Sequence, residues 1–328
     1  MGSKILITGV AGFIGSNLLP ALLKKGHEVI GVDNLSQGFL RNIEPYMKDF
    51  RFEQLDIRDK DALAPLIQKV DIVAHLAAYK IPRYGNAYDT LMVNSQGTLN
   101  ILESIADRNI KMFFTSTSDV YGKNPTLPFS EESDLVLGPT NIKRWAYAAS
   151  KIFDEHLLFA FREKHKVPIS IIRYFGGYGP NQNPTWWGGP QSVFIDAILT
   201  GKPMEIHGDG KQTRSFTYIS DHVDGTMKVI GSEKAIGEVF NIGNTREISI
   251  IDLAKLLWKV AGQNGKPPLK FVPYKSFSGK YEDVMRRIPD ISKAKKFLGF
   301  DPKVGLEEGL KITYEWQKQL YKKEGLIS

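Results

Sequence analysis

Lys4-Ile5-Leu6-Ile7-Thr8-Gly9-Val10-Ala11-Gly12-Phe13-Ile14-Gly15 begins as a short β-branched strand and turns through three spaced glycines into an apolar helical pattern over 14–25. Strand, glycine loop and helix in that order make a cradle for a pyrophosphate. Gly9 permits the tight turn, Gly12 lets the backbone approach the phosphates, and Gly15 lets the helix lie close on the strand with its N-terminus facing the anion. A second strand over 28–32 ends at Asp33, about 20 residues beyond the glycines, where a carboxylate suits the adenosine ribose hydroxyls. An acid there would repel a 2′-phosphate, so the pattern predicts NAD over NADP. The same aspartate could simply cap a turn at the strand end.

Outward from this unit, strand and helix patterns alternate. Strands are expected at 4–8, 28–32, 51–55, 71–75, 111–116 and 168–173, and helices near 14–25, 60–68, 90–107 and 145–164. The fold class is therefore α/β, a doubly wound parallel (Rossmann) sheet. Glycines and prolines crowd 176–190 together with Trp186 and Trp187, which marks an ordered loop region. A helix at 191–200, a return strand at 237–241, and helices at 250–262 and 305–323 complete the chain. We expect an NAD-binding domain over 1–174 with a return segment near 209–250, and a smaller C-terminal substrate-binding lobe from 175–208 and 251–328.

Composition narrows the chemistry. With 328 residues and no cysteine, the chain can bury a large core but has no disulfide, thiolate ligand or cysteine nucleophile. Met1-Gly2-Ser3-Lys4 leads directly into the first strand and no apolar run is long enough to span a bilayer, so a soluble, cytoplasmic protein is expected. The net charge of +7 is scattered over helix faces, which predicts no nucleic-acid partner and suits an anionic small substrate. The six histidines have no metal-ligand spacing, and no Gly-x-Ser-x-Gly elbow occurs.

Tyr147 and Lys151 stand one helical turn apart. On a shared face the ammonium can favour the phenolate and make tyrosine a base near neutral pH, although such pairs are common on solvated helices. Its company decides the reading. Together with Asp56-Ile57, His75-Leu76-Ala77-Ala78, Asn94, Ser116-Thr117-Ser118-Asp119-Val120-Tyr121-Gly122, Arg173-Tyr174-Phe175, Tyr178-Gly179-Pro180, Gly208 to Arg214 and Asn241-Ile242-Gly243, the chain resembles the extended short-chain dehydrogenase/reductase family of nucleotide-sugar epimerases, dehydratases and decarboxylases.

That resemblance, which covers nearly the whole chain, implies a resident NAD. It places Gly9, Gly12, Phe13, Ile14, Gly15, Asp33, Asn34, Asp56, Ile57, Leu76, Ala77, Ala78, Asn94, Tyr147 and Lys151 at the cofactor. Tyr147 would take the proton from a sugar 4-hydroxyl that Thr117 also binds, while hydride leaves C4. The resulting 4-ketone acidifies C5 and opens three routes: dehydration, 4-epimerisation and decarboxylation. Ser118 and Asp119, the other catalytic candidates, would select among them. Asp119 is the family's usual acid shortened by one methylene, or else a turn cap.

For a substrate carboxylate, Arg286 and Arg287 offer charge, but Gly188-Gly189-Pro190-Gln191-Ser192 lacks the arginine that decarboxylases carry. Leu135 to Pro139, with Arg144-Trp145, looks decarboxylase-like. Weighing the missing charge more heavily, the sequence favours dehydration of a UDP-hexose or UDP-N-acetylhexosamine, then epimerisation, then decarboxylation. Substrate-binding candidates are Lys80, Gln191, Arg214, Lys280 and Arg287. Lys80 could equally be a solvated lysine. Trp186 and Trp187 suit base stacking or ordinary lobe packing, and Gly176 replaces the family's asparagine. Apolar stripes on 90–107 and 145–164 predict a homodimer like those of related enzymes. A non-catalytic NAD-binding regulator on the same fold is the alternative of a different class.

Overall fold

The structure, a computed structural model, describes residues 2–80, 86–277 and 280–327. Its frame is a parallel sheet of β1 (Lys4–Thr8), β2 (Glu28–Asp33), β3 (Arg51–Gln54), β4 (Ile72–His75), β5 (Lys111–Thr117) and β6 (Ile169–Tyr174). The remaining strands are β7 (Gly177–Tyr178), β8 (Met204–His207), β9 (Thr213–Ser215), β10 (Thr217–Tyr218), β11 (Val239–Ile242), β12 (Glu247–Ser249) and β13 (Leu269–Val272). The helices are α1 (Phe13–Lys24), α2 (Lys60–Ile67), α3 (Ala87–Ile105), α4 (Trp145–His165), α5 (Pro190–Leu199), α6 (Ile219–Ile230), α7 (Ile250–Val260), α8 (Ser292–Leu298) and α9 (Leu306–Lys323).

The main sheet has seven strands in the order β11-β6-β5-β4-β1-β2-β3. Because helices cover both faces, its central strands are enclosed; every residue of β5 and β6 is buried. Leu18, Leu19 and Leu22 of α1 and Val229 and Ile230 of α6 seal one face. Leu63, Leu66 and Ile67 of α2, Ile101, Leu102 and Ile105 of α3, and Leu158 of α4 seal the other. The chain runs from β1 outward to β2 and β3, then returns to β4 on the other side of β1. The strand ends at this reversal form the crevice in which such sheets take ligands.

A second core, built from α5, α7 and α9, gathers Phe194, Ile195, Leu253, Leu257, Leu306 and Leu310. Two-stranded pairings β8–β13, β9–β12 and β7–β10 frame it. Differences from expectation are local. Helix α3 starts at Ala87 because the Asn86 side chain caps it by accepting from the Tyr88 amide, and α6, α8 and six short strands were not anticipated. Among the described residues no helix is long and apolar enough to cross a membrane.

Candidate active site

The glycine loop between β1 and α1 floors a cleft of about 510 Å³. Gly9 has φ +74°, and a Cβ there would meet the Ala77 nitrogen at 2.8 Å; a Cβ on Gly15 would stand 2.2 Å from the Gly9 oxygen. Neither position admits a side chain, because backbone already fills the space, so the two glycines let the turn and the start of α1 pack closely and leave the helix N-terminus facing the cleft. Gly12, Phe13, Ile14, Asn34, Ile57, Leu76, Ala77 and Ala78 line the same cleft. Asp33 ends β2 with Oδ2 accepting from the Ala11 amide at 2.9 Å and Oδ1 from the Leu35 amide at 2.8 Å. Burial raises its pKa against these amides.

Two of the expected cofactor residues, Asp56 and Asn94, do not line this cleft. Asp56 is held by the Arg58 side chain at 2.8 and 3.0 Å and by Asn34 at 3.1 Å, chiefly the arginine bonds drawing its pKa down to about 2. Asn94, 1% exposed, accepts from the Tyr79 amide at 2.7 Å and donates to Ser150 Oγ at 2.9 Å. It pins the loop after β4 to α3 and α4. These residues fit NAD: a cradle without side chains, a carboxylate at the ribose end, and the buried Lys151 Nζ, which has no hydrogen-bond partner among the described residues.

At the far end of the cleft, β5 delivers Thr117 and the turn after it Ser118 and Asp119, while the first turns of α4 deliver Tyr147 and Lys151. Burial raises the Tyr147 pKa, with Asp119 adding to the rise and the Thr117 hydroxyl and Arg287 opposing it. In the chain alone the phenol is therefore neutral. Lys151 packs over the Phe114 ring at 4.3 Å, and burial lowers its pKa to about 8 despite Asp154 and Glu155.

Sequence reasoning missed the organisation around Asp119. It receives Arg287 and, at 3.3 Å, Arg144, the residue three before Tyr147. Arg144 also reaches Asp283 at 3.2 Å, Arg214 reaches it at 3.0 Å, and the Tyr274 hydroxyl donates to it at 2.8 Å. Burial alone would raise both acids, but the arginines outweigh it. The Asp119 pKa is lowered and that of Asp283 falls to about 2. Burial pushes Arg214 down to about 10.

This cluster walls an adjoining cleft of about 270 Å³ that Lys80, Tyr147, Gln191, Arg214 and Arg287 share. Lys80 meets solvent through the cleft yet lies deep among protein atoms, which lowers its pKa while Asp119 resists. Gln191 Nε2 is buried without a hydrogen-bond partner among the described residues. Trp186 lines this cleft, stacked on His207 at 4.1 Å, and Trp187 meets Tyr79 edge-on at 5.1 Å. Lys280 is exposed and lines neither cleft, and exposed Arg286 pairs with Glu247 at 2.8 Å. The signal for Arg144 was its spacing, one helical turn before the tyrosine.

Comparison with known proteins agrees along the whole chain. Residues 6–313 match the family described as GDP-mannose 4,6 dehydratase. A UDP-N-acetyl-alpha-D-glucosaminuronate decarboxylase of Bacillus cytotoxicus is 37% identical over 98% of this chain and 99% of its own. A UDP-glucuronate 4-epimerase of Thermodesulfobacterium geofontis is 37% identical over 96% of each. Among solved structures, the UDP-glucuronic acid 4-epimerase of Bacillus cereus in complex with UDP-glucuronic acid and NAD superposes with a TM-score of 0.87 at 35% identity, covering 97% of this chain and all of that one. A match of this extent, on a chain whose glycine cradle and Tyr147–Lys151 helix meet in one cleft, means that it belongs to the extended short-chain dehydrogenase/reductase family of NAD-dependent enzymes that modify nucleotide sugars.

Proposed function

We propose that the enzyme decarboxylates a UDP-hexuronate, glucuronate or its 2-acetamido counterpart, through a 4-keto intermediate. The observation that carries this reading is the pair Arg144 and Arg287 converging on Asp119 beside Tyr147. Positive charge for a substrate carboxylate, which seemed missing between Gly188 and Ser192, comes from these two arginines and Lys80. The same pairing weakens the dehydration expected from sequence. Expelling a 6-hydroxyl calls for a proton donor, and a carboxylate held ionised by two guanidiniums is a poor one.

NAD, when bound, supplies the hydride acceptor for C4 and later the donor. Tyr147 and Thr117 bind the 4-oxygen, Tyr147 taking its proton. The 4-ketone leaves the C6 carboxylate in a β-keto acid; the C5–C6 bond breaks, its electron pair enters a C4–C5 enolate, and CO₂ departs. Tyr147 and Thr117 stabilise the enolate oxygen until C5 takes a proton. Arg144 and Arg287 orient the carboxylate, while Asp119 sets beside it a like charge whose repulsion ends when CO₂ leaves. Residues 1–174 with the return segment would hold NAD through the glycine loop, Asp33, Asn34 and Lys151. The remaining lobe would hold the nucleotide sugar through Gln191 and Arg287, and the return segment would add Arg214.

A second reading, 4-epimerisation of the same uronate, is favoured by the T. geofontis and B. cereus relatives. Incubation with UDP-glucuronate and UDP-N-acetylglucosaminuronate, read by product mass and C4 stereochemistry, separates them. Loss of the mass of CO₂ supports our reading; inversion at C4 without mass change overturns it. We further propose a cytoplasmic homodimer joined through α3 and α4, where Tyr88, Leu91, Met92, Phe153 and Phe159 are exposed. Light scattering giving a monomeric mass at micromolar protein would refute the dimer.

A further inference from the structure

Asp154 lies three residues beyond Lys151 on α4 and is 0% exposed. No cation closes on its carboxylate, which meets only the Thr98 hydroxyl, and Lys151 Nζ has no hydrogen-bond partner among the described residues. Two buried groups of opposite charge therefore share one helix face without closing into an ion pair. The surroundings offer the lysine one other anion, a weaker one. Glu155, the next acid, is taken by Arg173 at 2.6 and 3.0 Å. His75, on β4, is enclosed between Thr8 Oγ1 at 2.7 Å and Thr98 Oγ1 at 3.2 Å, and burial holds its pKa well below the usual value, so it is neutral. Helix α3 presents the Thr98 hydroxyl to Asp154, and β5 presents the Phe114 ring to Lys151.

A lone buried carboxylate is costly, and an asparagine would fill the same volume without the charge. We infer that Asp154 is a positioning residue of the reaction: it is the buried counter-ion that keeps Lys151 an ammonium at the base of the cleft. The directions of titration agree. Burial raises Asp154 to about 6, so it is ionised at neutral pH, and its charge opposes the fall of Lys151. This rests on reading Tyr147 and Lys151 as the acting pair, but not on which product the enzyme makes.

The test uses the holoenzyme and its Asp154→Asn and Asp154→Glu variants. Lys151 is titrated by NMR of ε-carbon-labelled lysine, with Lys151→Arg assigning the signal, and turnover of UDP-glucuronate is followed against pH. In Asp154→Asn we expect the Lys151 midpoint and the alkaline limb of turnover to move down together by about one pH unit, roughly a tenfold change in proton affinity. KM should stay constant and the melting temperature should hold or rise, because a buried charge has been removed. Asp154→Glu should restore most of the limb. An unchanged Lys151 titration together with a lower melting temperature would make Asp154 a purely structural group and overturn the inference. The NMR midpoint needs no turnover, so failure of the decarboxylase reading leaves it legible.

Discussion

At the residue scale, the placing of Tyr147 and Lys151 on one helix face was readable because helical spacing is local, whereas the partners of Asp119 were not. Arg144 is 25 positions away and Arg287 is 168, and no periodicity links such separations. Asp119 itself was recognised, but its state depends on those partners. If it stands as a like charge beside a substrate carboxylate, Asp119→Asn should tighten uronate binding and slow turnover. We expect KM for UDP-glucuronate to fall while kcat drops by about 10²-fold or more, measured by steady-state kinetics. A dehydratase acid would instead lose kcat with no gain in binding. Lys151 gives the pH dependence. Its pKa is lowered to about 8, so the ammonium is present below that value and lost above it. Turnover should decline as pH rises through about 8, the limb that a kcat against pH profile records.

At the scale of elements, long periodic helices and apolar strands were legible, and α6 was not. Its sequence, Ile219 to Ile230, carries Gly225 at mid-helix, which on propensity argues against a helix. Packing explains the choice. A Cβ on Gly225 would lie 2.8 Å from Ile242 Cγ2, so glycine is what lets α6 settle against β11 at the sheet edge. Gly225→Ala should therefore destabilise the protein by about 1–3 kcal/mol although alanine is the better helix former, as urea unfolding would show. The Gly-Pro stretch before α5 was read correctly as ordered loop. What orders it, Gln182 Nε2 donating to the Gly177 oxygen at 2.9 Å and to the Gly188 oxygen, belongs to tertiary structure.

Across the whole molecule, the ionic cluster is a seam between distant segments of the chain. Asp119 follows β5 and Arg144 precedes α4, whereas Arg214, Asp283 and Arg287 come from segments beyond β7. Asp283 is the hub, meeting Arg144, Arg214 and Tyr274 with its side chain only 9% exposed. Its pKa in the fold is about 2 against an ordinary 3.8, so the proton is bound more tightly by the unfolded chain. The stabilisation this gives is complete above about pH 4 and is lost as pH falls through about 2, amounting to about 2 kcal/mol. Thermal unfolding followed between these limits should show the loss. In Asp283→Asn the neutral-pH stability should be lower and this part of the acid dependence absent, because the arginines are left facing one another and no carboxylate remains to titrate. An Asp283→Asn protein whose acid profile runs parallel to that of the parent would place the seam's stability elsewhere.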